Sequence, residues 1–303
     1  MKNNGIGHVA ALFTIVVWGT TYISTKVLLR SFQPVEILLI RMVLGFVLLF
    51  LAKPGKFKVK QKSHEWIFAG AGLCGICLYY LMENIALTYT LASNVGVIIL
   101  VAPFFTAVLS HIFMKADGKL TVPFFVGFVL AMIGIGMISF GGSKSLHLNP
   151  AGDLLALGAA FIWACYSVLS KKISSYGYPT IQMTRHMFGY GILFMIPASL
   201  ILGFHPEPAA FVNPVNLLNL LFLGAVASAV CFATWNFAVR TLGAVKTSVY
   251  IYITPVVTII TSVLILHEQL TGVVAVGAGL ALAGLILSEG RVDLKVLFKP
   301  SKE

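Results

Sequence analysis

Long apolar segments separated by short polar connections follow one another along the whole chain. Each segment is about 18–26 residues long, which is enough for a helix to cross the roughly 30 Å hydrocarbon core of a bilayer. The segments are apolar throughout rather than alternating, and this favours membrane-spanning helices over strands. The pattern predicts spans at 8–29, 35–52, 65–88, 94–114, 121–140, 150–171, 181–203, 215–240, 246–266 and 271–289.

The amino-acid composition supports an all-α integral membrane protein. Hydrophobic residues make up 58% of the 303 residues, charged residues make up 10%, and the mean hydropathy is +0.95. Soluble proteins carry about 25% charged residues, so this chain has too few charges to cover a water-facing surface. The apolar segments leave no stretch for a soluble domain. We therefore expect a bundle of ten transmembrane helices.

Positive charge is concentrated on one side of the predicted topology. The net charge is +11, and with a cytoplasmic N-terminus sixteen Lys and Arg residues fall on the cytoplasmic side, whereas Arg30 and Lys144 fall in outer loops. This bias follows the positive-inside rule. It predicts a multi-pass protein of the cell membrane (inner or plasma membrane) with both termini cytoplasmic. We expect the basic loops to contact anionic lipid rather than nucleic acid.

The two halves of the chain carry related residue patterns in the same order. Trp18 matches Trp163 at an offset of 145 residues, and Pro103 matches Pro255 at an offset of 152. Glycines near the end of each half match at an offset of 150. Because each copy holds five predicted spans, an odd number, the second copy enters the membrane from the opposite side. Such inverted repeats are typical of secondary transporters, which hold the substrate near the midplane between the halves.

This repeat defines the predicted domain organisation. The first repeat covers 1–142, the second, inverted repeat covers 143–290, and 291–303 forms a basic cytoplasmic tail. The first apolar segment has features of a signal peptide, but its match to the start of the second repeat favours a retained first helix. Rocking of one repeat against the other would give alternating access to a central cavity.

Three segments carry a family resemblance. VWGTTYISTKVLLRSFQPVEILLIRMVLGFVLLF (17–50), GDLLALGAAFIWACYSVLSKK (152–172) and YITPVVTIITSVLILHEQLTGVVAVGAGLALAGLIL (252–287) resemble the two EamA domains of the drug/metabolite transporter superfamily. The resemblance implies a ten-helix bundle with a central cavity, which mostly exports amino acids or related metabolites and is often driven by the proton gradient. The acidic residue that the family places before Leu-Thr is present as Glu268, whereas the first copy offers only Asp117, shifted by one place.

Two charged residues fall inside predicted spans at similar depth. Arg41 on the second span and Glu83 on the third each lie about 10 Å below the outer surface. A buried charge costs roughly 2.5–3.5 kcal/mol on insertion scales, so it needs a partner or a function. Four alternatives remain open: a fixed Arg41–Glu83 ion pair, a proton-coupling or amine-binding role for Glu83, a position at the lipid interface, and a substrate-carboxylate site at Arg41. Because Trp235 matches Glu83 in the second repeat, proton coupling would be asymmetric.

Further polar and aromatic residues near these charges are candidates for the substrate cavity. For the aromatic residues the alternative is packing or an interfacial belt, and for the two asparagines it is interhelical hydrogen bonding. The candidates are Trp18, Tyr22, Asn84, Trp163, Tyr166, Arg185, His186, Trp235, Asn236, Tyr250 and Tyr252.

Two prolines in the middle of matched spans predict helix kinks. Pro103 and Pro255 should free the carbonyls of Ile99 and Ile251, four residues earlier. The kinks serve either bundle packing or gating, and symmetry-matched breaks fit the discontinuous helices that surround a transport site.

The short motifs do not favour an enzyme. GAGLCG (70–75) matches a dinucleotide-binding fingerprint only formally, because it lies inside a span with no strand before it, and the chain has no P-loop. We expect no cofactor, no metal, and a monomer whose partners are a small-molecule substrate, protons and the lipid bilayer. The predicted function is proton-coupled export of amino acids or related amphipathic metabolites. The alternative is an uncoupled facilitator, or an importer or exchanger, of sugars or nucleotide sugars.

Overall fold

The computed structural model describes residues 2–114, 122–141, 150–267 and 271–288, which fold into helices joined by short connections and contain no strand. A short helix, Pro208–Val212, lies between the seventh and eighth long helices. The long helices are α1 (Lys2–Leu28), α2 (Pro34–Ala52), α3 (Ser63–Tyr89), α4 (92–114), α5 (Val122–Gly141), α6 (Pro150–Ser175), α7 (Thr180–Leu202), α8 (Pro214–Leu242), α9 (244–266) and α10 (Gly272–Ser288).

Most of these helices have the length and composition of membrane spans. Within the described residues, seven of them (α1 to α4 and α6 to α8) are long and apolar enough to cross a membrane, and three shorter apolar stretches lie in α5, α9 and α10. Over the described residues each predicted span falls on one of these helices. That all ten cross the membrane stays a prediction. The boundaries agree closely except at the start of α1 and the end of α6, where polar residues extend the helix beyond the apolar pattern.

Helices α4 and α9 change geometry before their central prolines. The turns Ile99–Val101 and Val249–Ile253 are 3-10 helical and precede Pro103 and Pro255. In each turn, a backbone N–H three residues later donates to the carbonyl that the proline was expected to free. The expectation of two free carbonyls is therefore wrong, because the tighter 3-10 hydrogen bond replaces the lost α-helical one. That the prolines act as kinks or hinges stays a prediction.

Helices α3 and α8 contain π-helical sections at matched positions. These sections are Leu73–Leu78 and Phe222–Val230, and they overlap at the offset of 152 residues found in the sequence. Glycines matched at the same offset bring the two halves together, since Gly72 contacts the backbone of α7 and Gly224 contacts Leu44 in α2. A π-helical section often marks a functional region. The first section ends directly before Tyr79, and the carbonyl of Ala227 in the second accepts a hydrogen bond from Trp18.

Helices α5 and α10 pack closely through small residues. A Cβ atom added at Gly134 would overlap the carbonyl of Gly277, and one added at Gly284 would overlap the carbonyl of Gly127. The offset of 150 residues relates Gly134 to Gly284 and Gly127 to Gly277. The two contacts are therefore reciprocal: a glycine of α5 packs on the backbone of α10, and the matched glycine of α10 packs on the backbone of α5. Small residues allow such close approach of helix backbones within a membrane.

Candidate functional site

A small cavity lies between α1, α3, α4, α6 and α9, next to the 3-10 turns of α4 and α9. Its volume, counted as space open to the centre of a water molecule, is about 20 Å³, which is room for about one water. Two larger pockets, of about 530 and 550 Å³ on the same measure, lie near the helix ends and contain none of the predicted site residues. The small cavity is lined by Ile15, Trp18, Thr21, Tyr22, Tyr79, Tyr80, Glu83, Ile99, Trp163, Ile251 and Thr254.

Trp18 of α1 is the centre of an aromatic cluster around this cavity. Its ring centroid lies 5.2 Å from that of Trp163, edge to face, and 5.2 Å from that of Trp235. Its indole N–H donates to the carbonyl of Ala227 at 2.9 Å, which fixes the ring against α8. Tyr22 lies about one helical turn further along the same face of α1. Three predicted candidates, Trp18, Tyr22 and Trp163, thus meet at the cavity, while Trp235 packs behind them.

Glu83 lies on the wall of the cavity that α3 provides. Its side chain is 2% exposed, and its Oε2 atom has no hydrogen-bond partner among the described residues. Tyr79 and Tyr80 precede it by one helical turn and line the same cavity. The structure therefore places Glu83 inside the bundle and not at a lipid interface.

Arg41 is fully buried in α2 and does not line the cavity, although it contacts Tyr80, which does. Its Nε donates to Ser228 Oγ at 3.2 Å, and its guanidinium carbon lies 4.4 Å from the centroid of the Tyr80 ring. No Arg41–Glu83 ion pair within 4.0 Å occurs in the described part of the chain. The fixed pair, one of the open alternatives, is therefore not formed, because Arg41 points towards Ser228 in α8 and Tyr80 packs against its guanidinium.

Asn84 and Asn236, which match at the offset of 152 residues, have different surroundings. Asn236 joins three helices, since its Oδ1 accepts from Tyr166 at 2.9 Å and from Ser170 at 2.6 Å, and its Nδ2 donates to Thr184 at 3.0 Å. Asn84 donates to the carbonyl of Pro34 at 3.2 Å. Neither asparagine lines the cavity. Both asparagines therefore form hydrogen bonds between helices, which was the alternative to a role in the cavity.

Arg185 and His186 lie at one end of the bundle rather than at the cavity. The two terminal nitrogens of Arg185 each donate at 2.7 Å, to the carbonyls of Lys53 and Gly55. His186 Nε2 lies 2.8 Å from Glu65 Oε2. Both contacts are to the connection between α2 and α3 and its flanks. Neither residue lines the small cavity, because both lie near the start of α7, which begins at Thr180. A role for them in binding the substrate stays a prediction.

Of the other tyrosines predicted to line the cavity, Tyr166 and Tyr250 do not line it, and the side chain of Tyr252 is not described. The Tyr166 hydroxyl is taken up by Asn236, and its ring packs 5.0 Å from Trp163, centroid to centroid. The Tyr250 hydroxyl forms a hydrogen bond of 2.6 Å with His8 Nδ1 in α1 and does not line the cavity. The Tyr252 side chain lies outside the described part, as do Glu268 and Asp117.

Tyr79 and Tyr80 are site residues that sequence reasoning missed. They precede Glu83 by four and three positions, the spacings that place side chains on the same helix face. Once Glu83 had been singled out, this spacing was the signal that could have identified them. Thr254 was missed because its position at the end of a 3-10 turn has no distinct sequence pattern.

Comparison with known proteins identifies the family. The model of the EamA-like transporter family matches residues 5–140 and 150–289. An uncharacterized transporter of Archaeoglobus fulgidus is 28% identical over 300 residues, which cover 95% of this chain and 99% of the relative. A probable amino-acid metabolite efflux pump of Escherichia coli K12 is 26% identical over 287 residues, which cover 92% and 93%.

A crystal structure shares the fold, with a TM-score of 0.67 at 19% identity over 95% of this chain and 97% of that one. The family and the apolar helices together make the protein a multi-pass membrane protein, and they point to a transporter rather than an enzyme. Since the family model matches almost the whole chain, in two copies, the chain belongs to the EamA-like transporter family.

Proposed function

We propose that the protein is a secondary transporter that exports small amphipathic metabolites, amino acids or related compounds, across the cell membrane. The chain belongs to a transporter family, and the Escherichia coli relative is named as a probable amino-acid metabolite efflux pump. The cavity has room for about one water, but its lining of aromatic rings and one carboxylate suits, once the cavity opens, a small molecule that has both apolar and charged parts. The absence of a P-loop motif from the sequence favours a gradient over ATP as the energy source.

The reciprocal packing of the halves supports alternating access between two inverted repeats of five spans each. The contact of Gly134 with α10 is matched by that of Gly284 with α5, and the π-helical sections of α3 and α8 are matched too. In this proposal 1–142 and 143–290 are the repeats, and they rock about the cavity between them. Both termini, including the tail 291–303, are cytoplasmic, as the distribution of positive charge favours.

The observation that carries proton coupling is the placement of Glu83. A carboxylate that is 2% exposed, with one oxygen lacking a partner among the described residues, is costly to keep charged in a membrane. Its position at the cavity lets the carboxyl group bind a proton when the substrate is absent and release it when the substrate binds. The second repeat has Trp235 at the matched position, so this proposal assigns coupling to the first repeat.

The test is efflux from proteoliposomes loaded with a mixture of amino acids and sugars, measured by mass spectrometry with and without an imposed pH gradient. We expect the wild-type protein to release amino acids faster with the gradient, and Glu83→Gln to lose that acceleration. Glu36→Gln is the matched control, because Glu36 is also buried but its two oxygens accept backbone N–H groups at 2.7 and 3.0 Å. Its gradient dependence should equal that of the wild type.

Two outcomes would contradict the proposal. If Glu83→Gln responds to the gradient as the wild type does, Glu83 does not carry the coupled proton. If sugars leave and amino acids do not, regardless of pH, an uncoupled sugar facilitator describes the protein better.

A further inference from the structure

Several buried hydrogen-bond donors around the cavity lack a partner. Within the described residues this holds for Nη1 and Nη2 of Arg41 and for the indole N–H groups of Trp163 and Trp235. All three side chains are buried, with Arg41 and Trp235 0% exposed. A buried donor without an acceptor costs about 1–3 kcal/mol, and a charged one costs more. A group that fits these donors is therefore an anion with more than one acceptor oxygen.

One of these donors lies at the cavity, and the other two lie behind side chains that line it. Trp163 lines it directly, and Trp235 packs 5.8 Å from Trp163, centroid to centroid. Arg41 lies behind Tyr80, whose ring also lines the cavity. Because the guanidinium is anchored through Nε to Ser228 at 3.2 Å, its two terminal nitrogens are held in place and remain available. Movement of the Tyr80 ring would connect them to the cavity.

We propose that Arg41 is the substrate-binding residue that holds a carboxylate, and that the transported molecule is a monocarboxylate with an apolar or aromatic body, specifically an amino acid with an apolar side chain. This inference rests on the proposed transport function. A guanidinium presents parallel N–H groups that bind a carboxylate bidentately. The aromatic rings of Trp18, Trp163 and Tyr22 supply an apolar surface for the side chain of the substrate.

Glu83 defines what this site excludes. A second carboxylate on the substrate would lie near Glu83 and be repelled in a region of low dielectric constant. The same carboxylate attracts the ammonium group of an amino acid. Acidic amino acids should therefore bind poorly, and a molecule with one carboxylate and one amine should bind best.

The experiment measures ligand binding to the full-length protein in lipid nanodiscs through its intrinsic tryptophan fluorescence. The probes are leucine and phenylalanine, their amides, which lack the carboxylate, and aspartate. We expect the wild-type protein to bind each amino acid about 10- to 100-fold more tightly than its amide, the range for a hydrogen-bonded charge pair. Aspartate should bind at least as weakly as the amides.

Variants assign this preference to Arg41. Arg41→Met should reduce the ratio of amino acid to amide affinity towards one, and Arg41→Lys should give an intermediate ratio because an ammonium lacks the planar fork. Arg185→Lys is the matched control, since Arg185 is also a buried arginine but is held by the carbonyls of Lys53 and Gly55. Its ratio should equal that of the wild type.

Each contrary result overturns the inference in a recognisable way. Equal binding of amino acid and amide by the wild type, an unchanged ratio in Arg41→Met and Arg41→Lys, or binding of none of the probes would each reject a carboxylate site. The wild-type comparison applies even if Arg41→Met fails to fold. If the wild-type protein shows no gradient dependence in the efflux assay but keeps its ratio of amino acid to amide affinity, proton coupling alone is rejected. If it exports a neutral sugar, the carboxylate site is rejected and the transporter assignment stands.

Discussion

Asn84 and Asn236 match in the repeat but differ in how fully their hydrogen bonds are satisfied. Among the described residues, Asn236 makes three side-chain hydrogen bonds to α6 and α7, whereas Asn84 makes one, to the carbonyl of Pro34. We expect Asn236→Ala to lower the free energy of unfolding by about 2 kcal/mol. Each hydrogen bond within a membrane contributes about 0.6 kcal/mol on average, and this substitution removes the acceptor or donor of three buried partners.

Thermal unfolding of both alanine variants in the same detergent tests this difference. Asn84→Ala is the control at the matched position and should shift the midpoint less than half as far. Equal shifts would show that the observed hydrogen bonds do not determine the contribution of these residues.

At the residue scale, periodicity placed charges in helices and estimated their depth, but it did not give their direction around the helix axis. Each residue turns an α-helix by about 100°, so a small error in rotation decides which neighbour a side chain meets. Arg41 and Glu83 lie on neighbouring helices as expected, yet Arg41 contacts Ser228 and Tyr80 instead of Glu83. Ser228 belongs to the other half of the chain, and no local sequence pattern connects the two residues.

The α5–α10 contact makes a prediction at the element scale. Gly284 faces the backbone of α5, whereas Gly279, on the same helix, has open space around it. Gly284→Ala should destabilise the protein by about 1–3 kcal/mol, because a backbone contact cannot relax by changing a rotamer. Gly279→Ala should stabilise it by about 0.5–1 kcal/mol, since alanine is the better helix former.

Unfolding midpoints of the two variants should therefore move in opposite directions. Gly134→Ala, at the position matched to Gly284, should resemble Gly284→Ala if the packing is reciprocal. Destabilisation by Gly279→Ala to the same extent would show that loss of glycine flexibility, and not helix contact, is responsible.

At the element scale the apolar pattern located the helices well because a membrane demands long continuous runs of apolar residues. The prolines indicated where α4 and α9 change to 3-10 geometry, since proline removes a hydrogen bond wherever it occurs in a helix. The apolar pattern did not locate the π-helical sections Leu73–Leu78 and Phe222–Val230. These depend on contacts with neighbouring helices, as at Gly75, where the ring of Tyr166 lies too close for a Cβ atom.

For the whole molecule, the sequence predicted the transporter family, which the two matches of the family model confirm, because matched residues keep their order over nearly the whole chain. The inverted topology of the second copy stays a prediction. The small size of the cavity could not be predicted in the same way, because it depends on how segments that are distant in sequence pack together. Such segments also meet at one end of the bundle, which we call the basic end and define by 53–62 and 176–179.

The basic end joins the first half of the chain to the second. The backbone N–H of Lys60 donates to the Tyr178 hydroxyl at 2.8 Å, and the same hydroxyl shares a hydrogen bond of 2.8 Å with His64 Nδ1. The Lys60 ammonium donates to the carbonyl of Tyr176 at 2.6 Å. If the halves rock against each other, these bonds break whenever the cavity opens at this end, so they stabilise the closed form.

Removing the Tyr178 hydroxyl should therefore make the cavity easier to reach from the basic end. In a background with the four native cysteines replaced by alanine, Ile15→Cys places one thiol on the cavity wall. A membrane-impermeant thiol reagent is added on the side of the basic end. We expect Tyr178→Phe to raise the labelling rate of this thiol about five- to thirty-fold, because two lost hydrogen bonds shift the equilibrium between the closed and open cavity by about 1–2 kcal/mol. Tyr89→Phe, at an exposed tyrosine on the opposite end of α3, should leave the rate unchanged. Equal rates in all three backgrounds would mean that the basic end does not control access, and the closed cavity would then have to depend on the aromatic cluster around Trp18 instead.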